Sequence, residues 1–220
     1  MLRHVFLLLS LVMLCACNSV ESELNSESAQ TDSSINAVTM MFECENDLSF
    51  VARLEGQTLW AFLPQQTLAL ESTRTASGAK YQKAADYVWL KGDNAMVNYQ
   101  QTLYKNCVNN RQEAIWQDAK FRGVSFRAVG NEPGWLIEIT PNAHVKYLSN
   151  YDQFETVLPY KEPIETEQSS LFELTENQNM LLFEIINKPC TDSMSGQKFA
   201  SSVRGQFNGK AFSGCGRALF

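Results

Sequence analysis

Between Met41 and Cys107, short apolar or alternating runs recur with turn-forming residues between them: FECE, LSFVARL, TLWAFL, QTLALES, KYQ, YVWLKG, AMVNYQ and TLYKNC. From Leu59 to Leu63 the hydrophobic positions alternate without helical spacing, which is the period of a half-buried strand. Gly56, Gly78 and Gly92 fall where chain reversals are expected. This rhythm predicts a small antiparallel barrel or sandwich. A second pattern of the same kind starts at Phe126 and runs through FRAVGNEPGW, LIEIT, HVKYLS, FETVLPY, LFELT and MLLFEII. It ends in Cys190-Thr-Asp-Ser-Met-Ser-Gly and Gly214-Cys215-Gly216-Arg217, which read as a disulfide-tied hairpin. The expected fold class is all-β, or mainly β, in two β-rich parts.

The two parts are separated by Asn110-Arg111-Gln112-Glu113, the order of a capping box with Asn in the cap position. Ala114, Ile115, Trp116 and Ala119 form an apolar stripe that ends before Gly123. A short connector helix is predicted over 109–123, with Trp116 packing the two modules together.

The N-terminus sets the compartment. Arg3 and His4 precede an apolar run from Val5 to Met13 that leads into Leu14-Cys15-Ala16-Cys17, the order of a secretory signal. The run is shorter than the ~20 residues a membrane-crossing helix needs. Leu-Cys-Ala-Cys resembles a bacterial lipobox, with cleavage before Cys17 and acylation of that cysteine. Asn18, by resemblance to enterobacterial sorting rules, favours the outer membrane, with the protein facing the periplasm. The expected division is a lipoprotein signal peptide at 1–16, a lipidated tether at 17–38, a barrel at 39–108, the helix at 109–123 and a β-rich domain at 124–220. Asn18 to Val38 has four acidic residues, no basic residue and no aromatic, a composition unable to bury a core. About 20 such residues span roughly 25 Å, enough for the globular part to stand off the bilayer.

Cys15 leaves with the signal and Cys17 takes lipid, so Cys44, Cys107, Cys190 and Cys215 remain in an oxidising space. Three connectivities are open to them. Pairing within modules gives Cys44–Cys107 and Cys190–Cys215, each closure worth about 3.5 to 4.5 kcal/mol by chain entropy.

The formal net charge of −6 argues against a nucleic-acid partner, which needs a concentrated basic face. It suits a basic protein partner better. Of the two histidines, only His144 lies beyond the signal, so neither a His-based triad nor a multi-histidine metal site is expected. No cofactor is implied. Ser77-Gly-Ala-Lys80 has the form S-x-x-K, but the companion segments of the penicillin-interacting serine enzymes are missing. Ser193-Met-Ser195-Gly196 is no nucleophile elbow, and the carboxylates form no recognisable pair. An enzyme is not expected.

The informative constellation is Phe42-Glu-Cys44, Ser77-Gly-Ala-Lys-Tyr81, Trp89-Leu-Lys-Gly92 with Ala95, and Tyr104-Lys-Asn-Cys107. In this order the segments resemble the membrane-bound inhibitors of c-type lysozyme. The resemblance covers roughly 65 residues and implies an eight-stranded antiparallel barrel with two motif loops that enter the active-site cleft of a c-type lysozyme. It implies Ser77 and Lys91 as the inserting pair, with Gly78 and Gly92 shaping their loops. Tyr81 either lines the contact surface or fills the barrel, and Trp89 reads as core. The competing reading is a non-catalytic envelope module that binds glycan, peptidoglycan fragments or another envelope protein.

The second part, about Phe126 to Phe220, resembles a family of bacterial envelope proteins that share GNEPGW-like and GCGR-like segments and bring no activity with them. Gly130 to Gly134 reads as a structural turn with Trp135 anchoring the core; a ligand groove marked by Asn131, Glu132 and Trp135 is the alternative. Asp192 and Arg217 are expected to pair across the terminal hairpin.

Overall fold

The computed structural model describes residues 37–150 and 153–220. The signal peptide, Cys17 and all but the last two residues of the 17–38 tether lie outside the described residues.

All eight runs expected between Met41 and Cys107 contribute to strands: β1 (Val38–Glu43), β2 (Ser49–Glu55), β3 (Thr58–Phe62), β4 (Thr67–Thr73), β5 (Ala79–Lys83), β6 (Asp86–Lys91), β7 (Asn94–Tyr99) and β8 (Thr102–Asn109). Each pairs with the next, and β8 returns to β1, so the alternative between barrel and sandwich resolves as a closed barrel. Strand alternation fills the interior with Phe42, Phe50, Leu59, Leu70, Val88 and Val97, all essentially inaccessible to solvent. Burying each such side chain contributes about 1.5–3 kcal/mol.

Closure rests on a short seam. Only Phe42↔Asn109 and Glu43↔Val108 pair directly between β1 and β8. Side chains and a crosslink extend it: Met41 N donates to Asn109 Oδ1 at 3.1 Å, Asn110 N donates to Met41 O at 2.7 Å, and Cys44 is bonded to Cys107.

The connector helix, α1 (Arg111–Phe121), begins directly after the seam. Asn110 Oδ1 accepts from Glu113 N at 3.0 Å, the cap the sequence predicts. The reciprocal half of the capping box does not form, because Asn110 N is engaged by the seam and the Glu113 carboxylate accepts from Gln117 and Arg217. Gly123, at φ +82°, follows the end of the helix. One side of α1 faces the barrel through Asp118 and Phe121, which stacks near Phe62. The other side faces the second part through Trp116, which meets Phe199 and the guanidinium groups of both Arg127 and Arg217. The expected stripe is corrected at Ile115, which is 52 % exposed. At 100° per residue it lies between the Asp118 side and the Trp116 side, where neither part covers it.

The second part is a nine-stranded antiparallel half-barrel in the order β12-β11-β10-β9-β19-β18-β15-β14-β13. Its strands are β9 (Phe126–Asn131), β10 (Gly134–Thr140), β11 (His144–Ser149), β12 (Phe154–Pro159), β13 (Ile164–Glu165), β14 (Ser169–Glu176), β15 (Asn179–Ile186), β18 (Ser201–Phe207) and β19 (Lys210–Ala218). β16 (Cys190–Thr191) and β17 (Lys198–Phe199) form a separate two-stranded ribbon. FRAVGNEPGW is therefore a hairpin, β9 and the start of β10 with Glu132–Pro133 at the bend. The terminal hairpin is β18–β19, and the Cys190–Cys215 bond fastens the β16–β17 ribbon to β19 instead of closing that hairpin. The expected Asp192–Arg217 pair does not form: Asp192 is engaged by its own loop, and Arg217 reaches Glu113 on α1 at 2.6 Å.

An ionic chain crosses from barrel to sheet through α1. Arg53 on β2 meets Asp118 at 3.1 Å, Asp118 meets Arg122 at 3.0 Å, and Arg122 holds Glu138 of β10 through two bonds of 2.9 Å. Glu138 also pairs with Arg127 of β9 and is only 3 % exposed. Burial acts to raise the pKa of both Asp118 and Glu138. The hydrogen bonds and charges of the arginines outweigh it and hold both carboxyls below their ordinary values of 3.8 and 4.5.

Removing one member of a buried ion pair leaves its partner uncompensated, so Glu138→Ala is expected to cost about 3–5 kcal/mol in urea unfolding. Because both folded-state pKa values are depressed, the stabilisation is complete above the unfolded values and drains as pH falls through the lowered ones. The thermal midpoint of the wild type should therefore drop below about pH 4.5, and Glu138→Gln should flatten that drop.

Candidate functional site

Ser77 lies in the connection between β4 and β5, and Lys91 ends β6 before the turn into β7. The β5–β6 ladder pairs Ala79 with Leu90, so Gly78 and Lys91 leave it from the same rung. Adjacent strand pairing brings Ser77 and Lys91 to one end of the barrel. There they line a concave surface of about 370 Å³ together with Trp89, Asn94, Lys105 and Asn106. Both side chains are exposed. Among the described residues, neither the Ser77 hydroxyl nor the Lys91 ammonium has a hydrogen-bond or ion-pair partner.

The main chain beneath them is held firmly. Ser77 O accepts from Trp89 Nε1 at 2.9 Å and from Thr75 Oγ1 at 3.0 Å. Gly78 sits at φ +69°, and a Cβ there would stand 2.4 Å from Leu90 O, so both backbone conformation and space require glycine. Gly92 also has positive φ, at +60°, but nothing lies within 4 Å of where its Cβ would be. The turn after Lys91 is strapped to the barrel seam. Arg111 grips the Asp93 carboxylate with bonds of 2.9 and 2.6 Å, and Asn109 N donates to Asp93 O at 2.8 Å.

One sequence expectation changes here and one open alternative resolves. Trp89 is not core: Val88 points inward, so Trp89 and Lys91 share the outer face of β6, and the half-buried indole braces the Ser77 loop. The signal was available in the strand period, since Trp89 is two residues from Lys91. Tyr81 points into the barrel, only 7 % exposed within the core, and is not on the surface that Ser77 and Lys91 share.

A second concavity, about 540 Å³, lies on the half-barrel and is lined in part by Asn131, Glu132, Asp192, Ser202, Arg204 and Ser213. Trp135 is buried in the sheet core and its Nε1 donates to Ser213 O at 3.1 Å. The GNEPGW segment thus supplies both a core anchor and the groove residues Asn131 and Glu132. Asp192 accepts from Ser195 N and Ser195 Oγ, each at 2.7 Å, and from Asn131 Nδ2 at 2.6 Å. The Ser195 backbone N–H is the largest of the influences that hold its carboxyl below the ordinary value. Among the described residues no cluster of His, Cys, Asp or Glu is arranged to hold a metal ion.

The barrel segment matches a known family. Residues 42–106 match the family model of the membrane-bound lysozyme-inhibitor of c-type lysozyme. The matched segment is less than a third of the chain. It runs from the inward-facing Phe42 to the residue before Cys107, contains both the Ser77 and Lys91 loops, and stops short of α1 and the half-barrel. No curated protein and no solved structure matches the chain.

Within the matched segment the two motif glycines make different demands. Gly78→Ala meets both a positive φ and a backbone oxygen, whereas Gly92→Ala meets a positive φ alone. Gly92→Ala is expected to cost about 1 kcal/mol and Gly78→Ala clearly more, as read from urea unfolding; equal costs would disprove the close approach to Leu90.

Proposed function

We propose that this protein is a lipid-anchored envelope inhibitor of c-type lysozyme, whose barrel presents the Ser77 and Lys91 loops to the enzyme's active-site cleft without covalent chemistry. The reading rests on one observation: the barrel segment that matches the inhibitor family carries Ser77 and Lys91 exposed, unpartnered and on one concave surface.

The physical logic is direct. A retaining glycosidase cuts with two carboxyl groups about 5 Å apart, one an acid and the other a nucleophile. An ammonium brought between them is attracted to the ionised carboxylate, and a hydroxyl both donates to and accepts from its neighbour. Exclusion of water from the cleft strengthens both contacts. Because Trp89, Thr75 and Gly78 already fix the Ser77 loop, and Arg111 and Asp93 fix the Lys91 turn, little conformational freedom is lost on docking. The barrel is close to neutral, with seven acidic and six basic residues from Phe42 to Cys107. Steering toward a basic enzyme therefore depends on local charge placement.

The lipid anchor belongs to the same proposal. Acylation at Cys17 and an acidic tether would hold the barrel at the outer membrane, on its periplasmic side, where a wall-degrading enzyme arrives. Among the described residues no helix is long and apolar enough to cross a membrane.

A second reading is favoured by the 540 Å³ groove: a non-catalytic envelope module in which the half-barrel binds glycan, peptidoglycan fragments or another envelope protein.

The test is suppression of cell-wall lysis by a c-type lysozyme, using chain without its signal and with Cys17→Ser. Lys91→Ala removes a buried charged contact worth about 2–5 kcal/mol, so inhibition should weaken roughly thirtyfold or more. The Ser77→Ala, Lys91→Ala double variant should abolish it at micromolar concentration while retaining the wild-type unfolding midpoint. A wild type that leaves lysis unchanged would hand the function to the second reading.

A further inference from the structure

The concave surface holds a second cation that no motif predicts. On β7 and β8, Ala95 pairs with Cys107 but Val97 pairs with Tyr104, so Met96 alone stands opposite both Lys105 and Asn106. This is a β-bulge, with one extra residue on β8. Its consequence is directional. Tyr104 packs against the barrel core and Cys107 is fully buried, so strict alternation has no place for the two exposed residues between them. The bulge provides it, and Asn106 takes the left-handed conformation required, at φ +52°.

The irregularity is locked from both sides. Asn106 Nδ2 donates to Glu45 Oε1 at 2.6 Å, and the next residue, Cys107, is bonded to Cys44. Bulges of this kind re-aim side chains beside functional sites. Here the extra exposed residue is Asn106, and Lys105, outward beside the inward Tyr104, lines the same surface as Lys91. Among the described residues no carboxylate lines that surface, Glu45 beside it being engaged by Asn106. Among the described residues Lys105, like Lys91, has no ion-pair partner. Two exposed ammonium groups on one surface favour an anionic partner over a cationic one.

We propose that Lys105 is a second cationic contact of this surface, and that the surface is built to receive a partner presenting at least two carboxylates at once. The proposal rests on the inhibitor reading above and deepens it: Lys91 meets one acidic group of the cleft and Lys105 another acidic group within the cleft or on its rim. Glu45, Asn106 and Cys107 serve as positioning residues for Lys105.

The test compares Lys105→Gln and Lys105→Glu with Lys83→Glu in the lysis assay over a range of salt. Lys83 is at the opposite end of β5 from the Ser77 loop, so Lys83→Glu makes the same change in net charge away from the surface. Lys105→Glu is expected to weaken inhibition tenfold or more, with Lys105→Gln between it and wild type. Lys105→Gln should also reduce the salt dependence of association, a readout that a purely structural lysine would not move. Circular dichroism and unfolding midpoints check that each variant is folded. If the wild type inhibits and Lys105→Glu tracks Lys83→Glu, the role of Lys105 is overturned and the inhibitor reading stands. If the wild type does not inhibit at all, both fall together.

Discussion

The closing seam between β1 and β8 carries more of this structure than its two paired rungs suggest. A barrel abolishes its free edges only if its last strand finds its first, and here the meeting is made secure by groups outside the regular ladder. The Cys44–Cys107 bond, the Asn109 side chain and the Asn110 main chain all converge on it. Several surface features are anchored there as well. The bulge beside Lys105 adjoins Cys107, the turn after Lys91 is strapped to Asn109 and Arg111, and α1 takes its cap from Asn110. The site is rigid because the barrel is shut, and the barrel is shut by the same few residues that start the helix.

Helix α1 is the second organising element, and it works by facing two ways. Its Asp118 side meets Thr39 and Arg53 of the barrel, while its Trp116 and Arg122 sides meet the half-barrel. Amphipathicity does not explain why it forms here, since its polar and apolar residues are not cleanly segregated. Tertiary contacts on both sides and a well-placed cap explain it better. The buried charge of Glu138 is tolerable because two guanidinium groups converge on it from α1 and β9.

The strands were legible in the sequence to the extent that alternation shows them. The eight barrel runs and most of the half-barrel follow the two-residue period, and the Asn110 cap follows from hydrogen-bonding chemistry that acts over four residues. Features that depend on register were not legible. The role of Lys105 needs the pairing of β7 with β8, and Arg217 needs the packing of α1 to find Glu113 in preference to Asp192. Trp89 stands between these cases: its large apolar side chain suggests burial, while its parity with Lys91 points outward, and parity decides. For the site, the Ser77 and Lys91 loops were marked by local motif, but the surface they share with Lys105 exists only once β5 to β8 pair in register.

Trp135 has a consequence beyond its own burial. A Cβ at Gly130 would lie 2.1 Å from the Trp135 indole nitrogen, and one at Gly214 would lie 2.7 Å from the ring. The two glycines and the tryptophan are one shape divided among three strands, an indole and the hollow cast around it. Main chain closes the same hollow: a Cβ at Gly130 would also stand 2.5 Å from Ser213 O, and one at Gly214 only 2.1 Å from Val129 O. Loss of the ring at 135 alone would therefore open neither position to a side chain. Because Gly130 and Gly214 also form part of the 540 Å³ groove, that groove owes part of its shape to an indole that does not line it.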